Sequence, residues 1–255
     1  MVLTRLGNKK SVASDIYRYF RPHRMRITLF FGAGGLWFNT PRAQYNVIND
    51  LDDNITNLFL VITEQPDELI DALLSMPVSD TLLKKWRAEQ PEEPVLKAVS
   101  FLLASNFTYL GKGDSIRYSV GNEKAVLVKR IHECRLRLGD SRIMCTDFRE
   151  VLPKVSFSHK VAAKEDSFIY LDPCYLDTSS TYKVPKWTKE DTFDCFEIMD
   201  KEGVPAAMSE FDHPYVMEQA LSRGFTVIPI KNRRNIKGRS NEILITNYKP
   251  QGLLF

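Results

Sequence analysis

Two rhythms of apolar residues alternate along this chain. Short, nearly unbroken apolar runs at Ile27–Phe31, Tyr45–Ile48, Arg142–Thr146, Phe168–Leu171, Val204–Ser209, Phe225–Ile230 and Glu242–Asn247 have the length and β-branched content of strands. Runs apolar at every position, such as Phe168–Leu171, suit strands covered on both faces. Between them the period changes. Ile55, Leu58, Phe59 and Ile62 recur at helical spacing after Asn49-Asp50. Ser11–Tyr19 reads as a short helix stopped before Pro22, and Thr188 with Asp191 forms a capping-box start. A later helix runs toward Arg223 and stops at Gly224, a suitable residue just past a helix end. Strand, glycine turn, strand, acid and helix in succession open a doubly wound α/β unit. The last two runs predict an antiparallel hairpin at one side of the sheet.

The α/β rhythm is interrupted after Gln65-Pro66. Helical stretches are expected over Asp67–Ser75, Ser79–Glu89 and Val95–Ser105, split by Pro77 and by Pro91-Glu92-Glu93-Pro94. Ser115–Val120 and Lys124–Ile131 then read as two strands joined by a hairpin at Gly121-Asn122-Glu123. Residues 66–140 are therefore expected to be an inserted, mainly helical module, with 1–65 and 141–255 forming the main domain.

Composition narrows the classes. A chain of 255 residues with 44% hydrophobic residues can bury one sizeable core. No apolar run is long enough to span a bilayer, and the N-terminal stretch lacks the apolar centre of a signal peptide. Cys134, Cys145, Cys174 and Cys195 are widely spaced, which fits free thiols rather than a disulfide frame or a zinc site. His23, His132, His159 and His213 have no ligand spacing, so no metal is expected. The net charge of +3 says little, but its placement says more. Lys231, Arg233, Arg234, Lys237 and Arg239 form one basic stretch, and Lys124, Lys129, Arg130, Arg135, Arg137 and Arg142 another. Each alone suits a solvated face; two such clusters also suit phosphate contacts should a nucleic-acid site lie between them.

Candidate chemistry sits at strand ends. Phe30-x-Gly32-x-Gly34 lets the backbone turn sharply and approach a ligand. A dinucleotide fingerprint would need a third glycine where Trp37 stands, so a dehydrogenase loses its main support. Asp50 ends the second strand, where a carboxylate can accept ribose hydroxyls or cap the next helix. Asp172-Pro173-Cys174-Tyr175 follows a buried strand. An exocyclic amine on a base is a poor nucleophile because its lone pair is delocalised into the ring. A carboxylate and a backbone carbonyl can accept its two N–H groups, localise that lone pair and stabilise the positive charge that develops on methylation. Pro173 restricts the backbone that presents the carbonyl, and Tyr175 offers a ring for stacking. A base reaches such a pocket only by leaving the duplex stack.

Together these segments resemble the Dam-like family of DNA adenine methyltransferases, in order along the chain. Leu6-Gly7-Asn8-Lys9 resembles the N-terminal motif whose lysine helps hold the cofactor carboxylate. Phe30, Gly32 and Gly34 resemble the glycine turn, and Asn49-Asp50 the strand-end acid. Asp147-Phe148 resembles the pair beside the cofactor adenine. Asp172, Pro173 and Tyr175 resemble the catalytic Asp-Pro-Pro-Tyr, with Cys174 in place of the second proline. Glu242–Tyr248 resembles the last strand, and Ser209-Glu210 stands where many relatives have Ser-Asn.

The resemblance implies a Rossmann-like methyltransferase sheet, seven-stranded and mostly parallel with an antiparallel last strand. It implies transfer of a methyl group from S-adenosyl-L-methionine to N6 of a flipped-out adenine, leaving S-adenosyl-L-homocysteine. Residues 66–140 fall where the family carries its target-recognition domain. The implied partner is double-stranded DNA in a bacterial or phage-infected cytoplasm, with a cognate restriction endonuclease where the two form a restriction–modification pair. No oligomer is required. N4 methylation of cytosine is the alternative that the same acceptors could serve. A different alternative is a weakened protein that binds DNA and cofactor, for which Cys174 is the one pointer.

Overall fold

The computed structural model describes residues 1–4, 7–111, 113–118, 123–177, 185–235 and 238–251. Leu6, Lys237 and the expected turn residues Gly121 and Asn122 lie outside the described residues. Strands β1 (Met25–Thr28), β2 (Tyr45–Asn49), β3 (Arg142–Met144), β4 (Ser167–Leu171), β5 (Ala206–Phe211), β6 (Thr226–Asn235) and β7 (Gly238–Thr246) form one seven-stranded sheet. Its order is β3-β2-β1-β4-β5-β7-β6. The first five run parallel, while β7 lies antiparallel between β5 and β6. The chain thus works outward from β1 to β3, then returns to lay β4 on β1's other edge. That reversal opens a crevice at the carboxyl ends of β1 and β4.

Burial explains the apolar runs. Every residue of β1 and β4 is buried. Ile27, Leu29, Val47, Ile169, Leu171, Met208 and Ile245 face a cluster completed by Cys195, Phe196 and Met199 of α7 (Lys189–Lys201) and Val216 and Ala220 of α8 (Pro214–Ser222). Thr188 and Asp191 form a full capping box at the start of α7. On the other face, α2 (Asp53–Glu64) buries Ile55, Leu58, Phe59 and Ile62. The short helix α1 (Ala13–Tyr17) covers Phe168 and Tyr170 with Ile16.

Helices α3 (Pro66–Ser75), α4 (Asp80–Ala88), α5 (Pro94–Phe107) and α6 (Glu123–Leu138) follow α2. Leu69 and Leu73 of α3, Val99 and Leu102 of α5, and Leu127 and Ile131 of α6 share one buried cluster with α2 and Ile48 of the sheet. The expected hairpin is replaced by α6. Leu127, Ile131, Cys134 and Leu138 are its buried residues, a helical stripe that outweighs the strand-like stretch Ala125-Val126-Leu127-Val128. Of the expected strand Ser115–Val120, the described part makes one isolated bridge, Thr108 to Ile116.

Two further boundaries shift. Strand β1 starts earlier than expected and ends at Thr28, so Phe30 and Phe31 belong to the glycine turn. The basic stretch between the last two expected strands is instead the far end of the β6–β7 hairpin, where Arg234 pairs with Arg239 in register. Arg26 was hidden inside the first strand. It is fully buried, donates to Thr40 Oγ1 at 2.9 Å and Pro41 O at 2.9 Å, and lies over the Tyr17 and Phe20 rings. No helix among the described residues is long and apolar enough to cross a membrane.

Candidate active site

The crevice at the sheet's reversal is a cavity of about 430 Å³. Phe30, Gly32, Gly34, Asp50, Asp147, Phe148, Lys9, Asp172, Pro173 and Tyr175 all line it. The structure therefore brings together residues from the N-terminal segment and from the ends of β1, β2, β3 and β4.

The glycine turn is fixed from both sides. Gly34 has φ +67°, and a Cβ there would come within 2.6 Å of the Phe38 ring and 2.9 Å of Phe31. A Cβ on Gly35 would stand 2.8 Å from the Lys9 amide, so the N-terminal segment crosses directly over the turn. Asp50 Oδ2 accepts from the Gly32 amide at 2.6 Å and Oδ1 from the Asp52 amide at 2.9 Å, which ties the turn to the start of α2. Asp52, rather than Asp50, caps that helix by accepting from the Asn54 amide. Asn49 laces three strand ends: its Nδ2 donates to Leu29 O at 3.0 Å and Thr146 O at 3.1 Å, and its Oδ1 accepts from the Thr146 amide at 3.1 Å.

Asp172 sits where β4 opens. Its Oδ1 lies 2.7 Å from Lys9 Nζ and accepts from the Tyr175 hydroxyl at 3.2 Å. Lys9 is almost fully buried; it also donates to Gly7 O at 3.1 Å and lies 3.5 Å from Glu242 Oε1. Burial pushes the Asp172 carboxyl above the ordinary aspartate range, Lys9 pulls it back, and Glu242 adds to the rise. Burial also holds the Tyr170 and Tyr175 phenols well above their usual value, so both are neutral. The Tyr175 ring is braced edge-on by Phe211 at 4.6 Å, and the Tyr170 hydroxyl shares a 2.8 Å hydrogen bond with Ser209.

Glu210 stands behind this group on β5. It is fully buried; Oε2 accepts from the Phe211 amide at 2.7 Å, and the Leu176 backbone also hydrogen-bonds to the carboxyl. Its Oε1 has no hydrogen-bond partner among the described residues. Burial pushes this carboxyl up to about 8, so it carries its proton at neutral pH. The sequence flagged Glu210 as a departure but gave no sign that it lies beneath the Asp172 loop.

The far wall of the cavity is aromatic. Phe30 lies 5.1 Å from Phe148 and 5.5 Å from Trp187, while Phe148 and Trp187 are 5.7 Å apart. Trp187 is locked by its Nε1 donating to Thr192 Oγ1 at 2.9 Å. Sequence reasoning missed Trp187; its place just before the capping-box Thr188 was the available signal. Arg149 was also missed. It reaches Asp147 at 3.2 Å, Asp191 at 2.7 Å and Asp194 at 2.6 Å, pinning Asp147 at the cavity's edge.

The basic residues divide. Lys129 and Arg135 are exposed on α6 and Arg130 is half-buried. Two of the expected phosphate contacts turn inward instead. Arg137 donates to Trp37 O at 3.1 Å and Thr40 O at 2.7 Å, because the end of α6 packs beside that loop. Lys124 donates to Leu74 O at 3.1 Å and to Met76 O, closing the carboxyl end of α3. Lys231, Arg233 and Arg234 lie on β6 and Arg239 on β7.

A family model described as D12 class N6 adenine-specific DNA methyltransferase matches residues 6–236 of this chain. The type II methyltransferase M1.LlaDCHI of Lactococcus lactis subsp. cremoris is 26% identical over 282 residues, covering 95% of this chain and 93% of that protein. The retron Ec67 DNA adenine methylase of Escherichia coli is 22% identical over 252 residues, covering 92% and 85%. Among solved structures, Trm5b from Pyrococcus abyssi overlays with a TM-score of 0.35 at 11% identity, covering 92% of this chain and 47% of that one.

Proposed function

Because the chain belongs to the D12 class of N6 adenine-specific DNA methyltransferases, we propose that it moves a methyl group from S-adenosyl-L-methionine to N6 of an adenine turned out of duplex DNA. The observation that carries this reading is the meeting of the glycine turn and the Asp172–Tyr175 segment in one cavity.

The residues fit the cofactor. A cavity of about 430 Å³ is of ligand size. Nothing lies within 4 Å of where a Cβ on Gly32 would stand, so that part of the turn is open to a close backbone contact. Asp50, held by two amides, would take the ribose hydroxyls, and the Phe30, Phe148 and Trp187 rings would flank the adenine, with Asp147 toward its amino group. Lys9 would help hold the methionine carboxylate. When bound, the cofactor supplies a methyl group on a sulfonium, activated toward a weak nucleophile.

The protein's own part is orientation and acceptance. Lys9 and Tyr175 both engage Oδ1 of Asp172, which leaves Oδ2 to accept one N–H of the target amine. The Pro173 carbonyl accepts the other. Together they localise the nitrogen lone pair and stabilise the charge that builds as the methyl group arrives. Tyr175, kept upright by Phe211, stacks on the base. Residues 66–140 would carry target recognition. Lys129, Arg130 and Arg135, with the basic β6–β7 tip, would hold phosphates, which position the duplex without reading its sequence.

The test is transfer of labelled methyl from S-adenosyl-L-methionine to mixed-sequence duplex DNA, followed by nucleoside digestion. Label in N6-methyladenine that disappears in Asp172→Ala supports the reading. Label in cytosine overturns the base assignment, and undiminished label in Asp172→Ala overturns the site.

A further inference from the structure

Arg149 joins two parts of the cavity wall that come from distant stretches of the chain. Asp147 follows the edge strand β3, and Trp187 stands just before α7. The guanidinium spends a different nitrogen on each aspartate it meets. Nε donates to Asp194 Oδ2 at 2.6 Å, Nη2 to Asp191 Oδ1 at 2.7 Å, and Nη1 to both oxygens of Asp147 at 3.2 Å. The Arg149 amide adds a bond to Asp147 Oδ1 at 2.9 Å. Asp191 is itself held from the other side: its Oδ2 accepts from the amide of Thr188 at 2.8 Å and from its hydroxyl at 2.7 Å, next to Trp187. The guanidinium also lies over the Phe148 ring, 4.3 Å from its centre. Asp147, Phe148, Arg149, Trp187 and Asp191 line the cavity, whereas Asp194 stands outside it.

We infer that Arg149 is a positioning residue for the adenine end of the cofactor: it aims the Asp147 carboxylate at the adenine amino group and ties it to the Trp187 side of the wall. The inference rests on the reading of this cavity as the cofactor's. Phe148, Cys195 and Phe196 share one apolar cluster, which keeps the end of β3 and α7 together. Apolar contact is non-directional and does not fix how a carboxylate is turned. The rigid fork of the guanidinium supplies that direction. Oδ1 of Asp147 takes two donors from Arg149, while Oδ2 takes only the 3.2 Å bond and keeps capacity for an incoming N–H. The network contributes little to folding, because its side chains are 22 to 38% exposed and water screens each pair. Its effect falls on the ligand instead. A carboxylate that is already aimed needs no ordering when the amine arrives. The same aim gives selectivity, since an acceptor directed at an amino group faces a second acceptor if that group is replaced by a carbonyl oxygen.

The experiment is titration calorimetry of the full chain with two ligands, S-adenosyl-L-homocysteine and S-inosyl-L-homocysteine, in which an oxygen replaces the adenine amino group. Wild type is expected to prefer the first by about tenfold, a modest factor because Asp147 is 38% exposed. In Arg149→Ala the affinity for S-adenosyl-L-homocysteine should fall roughly tenfold and that for the inosyl compound by less than about threefold, so the preference collapses. Asp194→Asn, outside the cavity, should weaken S-adenosyl-L-homocysteine about two- to threefold and add nothing further to Arg149→Ala. An Arg149→Ala protein with wild-type affinity and preference overturns the inference. So does equal weakening for both ligands, since the carboxylate would then keep its aim without Arg149. Should Arg149→Ala not fold, Asp194→Asn decides: a reduced preference supports the inference and an unchanged preference overturns it. Equal binding of both ligands by wild type overturns the part given to Asp147 and the inference with it, whereas binding of neither overturns the cofactor reading itself.

Discussion

Replacing Glu210 by glutamine should make the protein more stable, and more so as pH rises. The carboxyl is fully buried, one of its oxygens has no hydrogen-bond partner among the described residues, and burial raises its pKa from 4.5 to about 8. Between those two values the native state holds a proton that the unfolded chain has released. Stability therefore falls as pH rises through the window and levels off above about 8. Each tenfold difference in proton affinity is worth roughly 1.4 kcal/mol, so the whole window costs at most about 5 kcal/mol. Relaxation around the ionised group makes this a ceiling. Glutamine has nearly the same shape and its oxygen can still accept from the Phe211 amide, but it cannot ionise. Other titrating groups are common to both proteins and largely cancel in the difference. The assay is urea unfolding of wild type and Glu210→Gln at about pH 5 and about pH 9, followed by tryptophan fluorescence. The gap in unfolding free energy should widen by up to about 4 kcal/mol between those two pH values, in favour of the variant at the higher pH. A gap that is flat across the window would refute the claim that Glu210 is protonated in the native state.

Three further outcomes are expected. Gly34→Ala forces a side chain into a left-handed conformation and against the Phe38 ring, so calorimetry should show about 1–3 kcal/mol lost in stability together with weakened cofactor binding. Arg137→Ala removes two hydrogen bonds to backbone carbonyls and should cost about 2–4 kcal/mol in chemical unfolding while leaving the salt dependence of DNA binding unchanged. Arg135→Ala on the same helix should do the opposite, reducing the salt slope by about one with no loss of stability. Trp187→Ala opens the aromatic wall and should weaken S-adenosyl-L-methionine binding about three- to tenfold by titration calorimetry, and in wild type the cofactor should change tryptophan emission.

What could be read from the sequence follows the range of the interactions involved. Strand cores were legible because Phe168–Leu171 and Ala206–Met208 are buried on both faces and must be apolar throughout. The site's strand ends were legible because glycine at 32 and 34 and aspartate at 50 and 172 follow such runs directly. Helix α6 was misread because four consecutive apolar residues, two of them valines, imitate a strand within a short window. Its stripe of Leu127, Ile131, Cys134 and Leu138 emerges only over sixteen residues. Arg137 looked like every other arginine in its basic run, since its carbonyl partners lie about a hundred positions away. The link from Lys9 to Asp172 and Glu242 was invisible for the same reason: it exists only once the N-terminal segment crosses Gly35 and β7 inserts beside β5.

The composition of the Asp172 surroundings makes sense in terms of the charge that the reaction develops. Two buried carboxyls, Glu210 and Glu242, and the partly exposed Asp172 carboxyl share a region with the Lys9 ammonium. If all three were ionised, their mutual repulsion and desolvation would be severe; replacing them by apolar residues would pack more stably. Glu210 removes part of that cost by keeping its proton, and Lys9 offsets more of it by lying between the other two. The Asp172 carboxyl is engaged by Lys9 and Tyr175 on one oxygen, in a wall from which solvent is largely excluded. In the proposed reaction the target nitrogen goes from neutral to positive, so an acceptor held there acts most strongly in the transition state and not before. The same acceptor in water would be screened and of little use. An arrangement that sacrifices folding stability to hold an acid in a low-dielectric wall is therefore what methylation of a weak nucleophile calls for. It also explains why the acid is fixed on Oδ1 by two donors instead of being left to rotate.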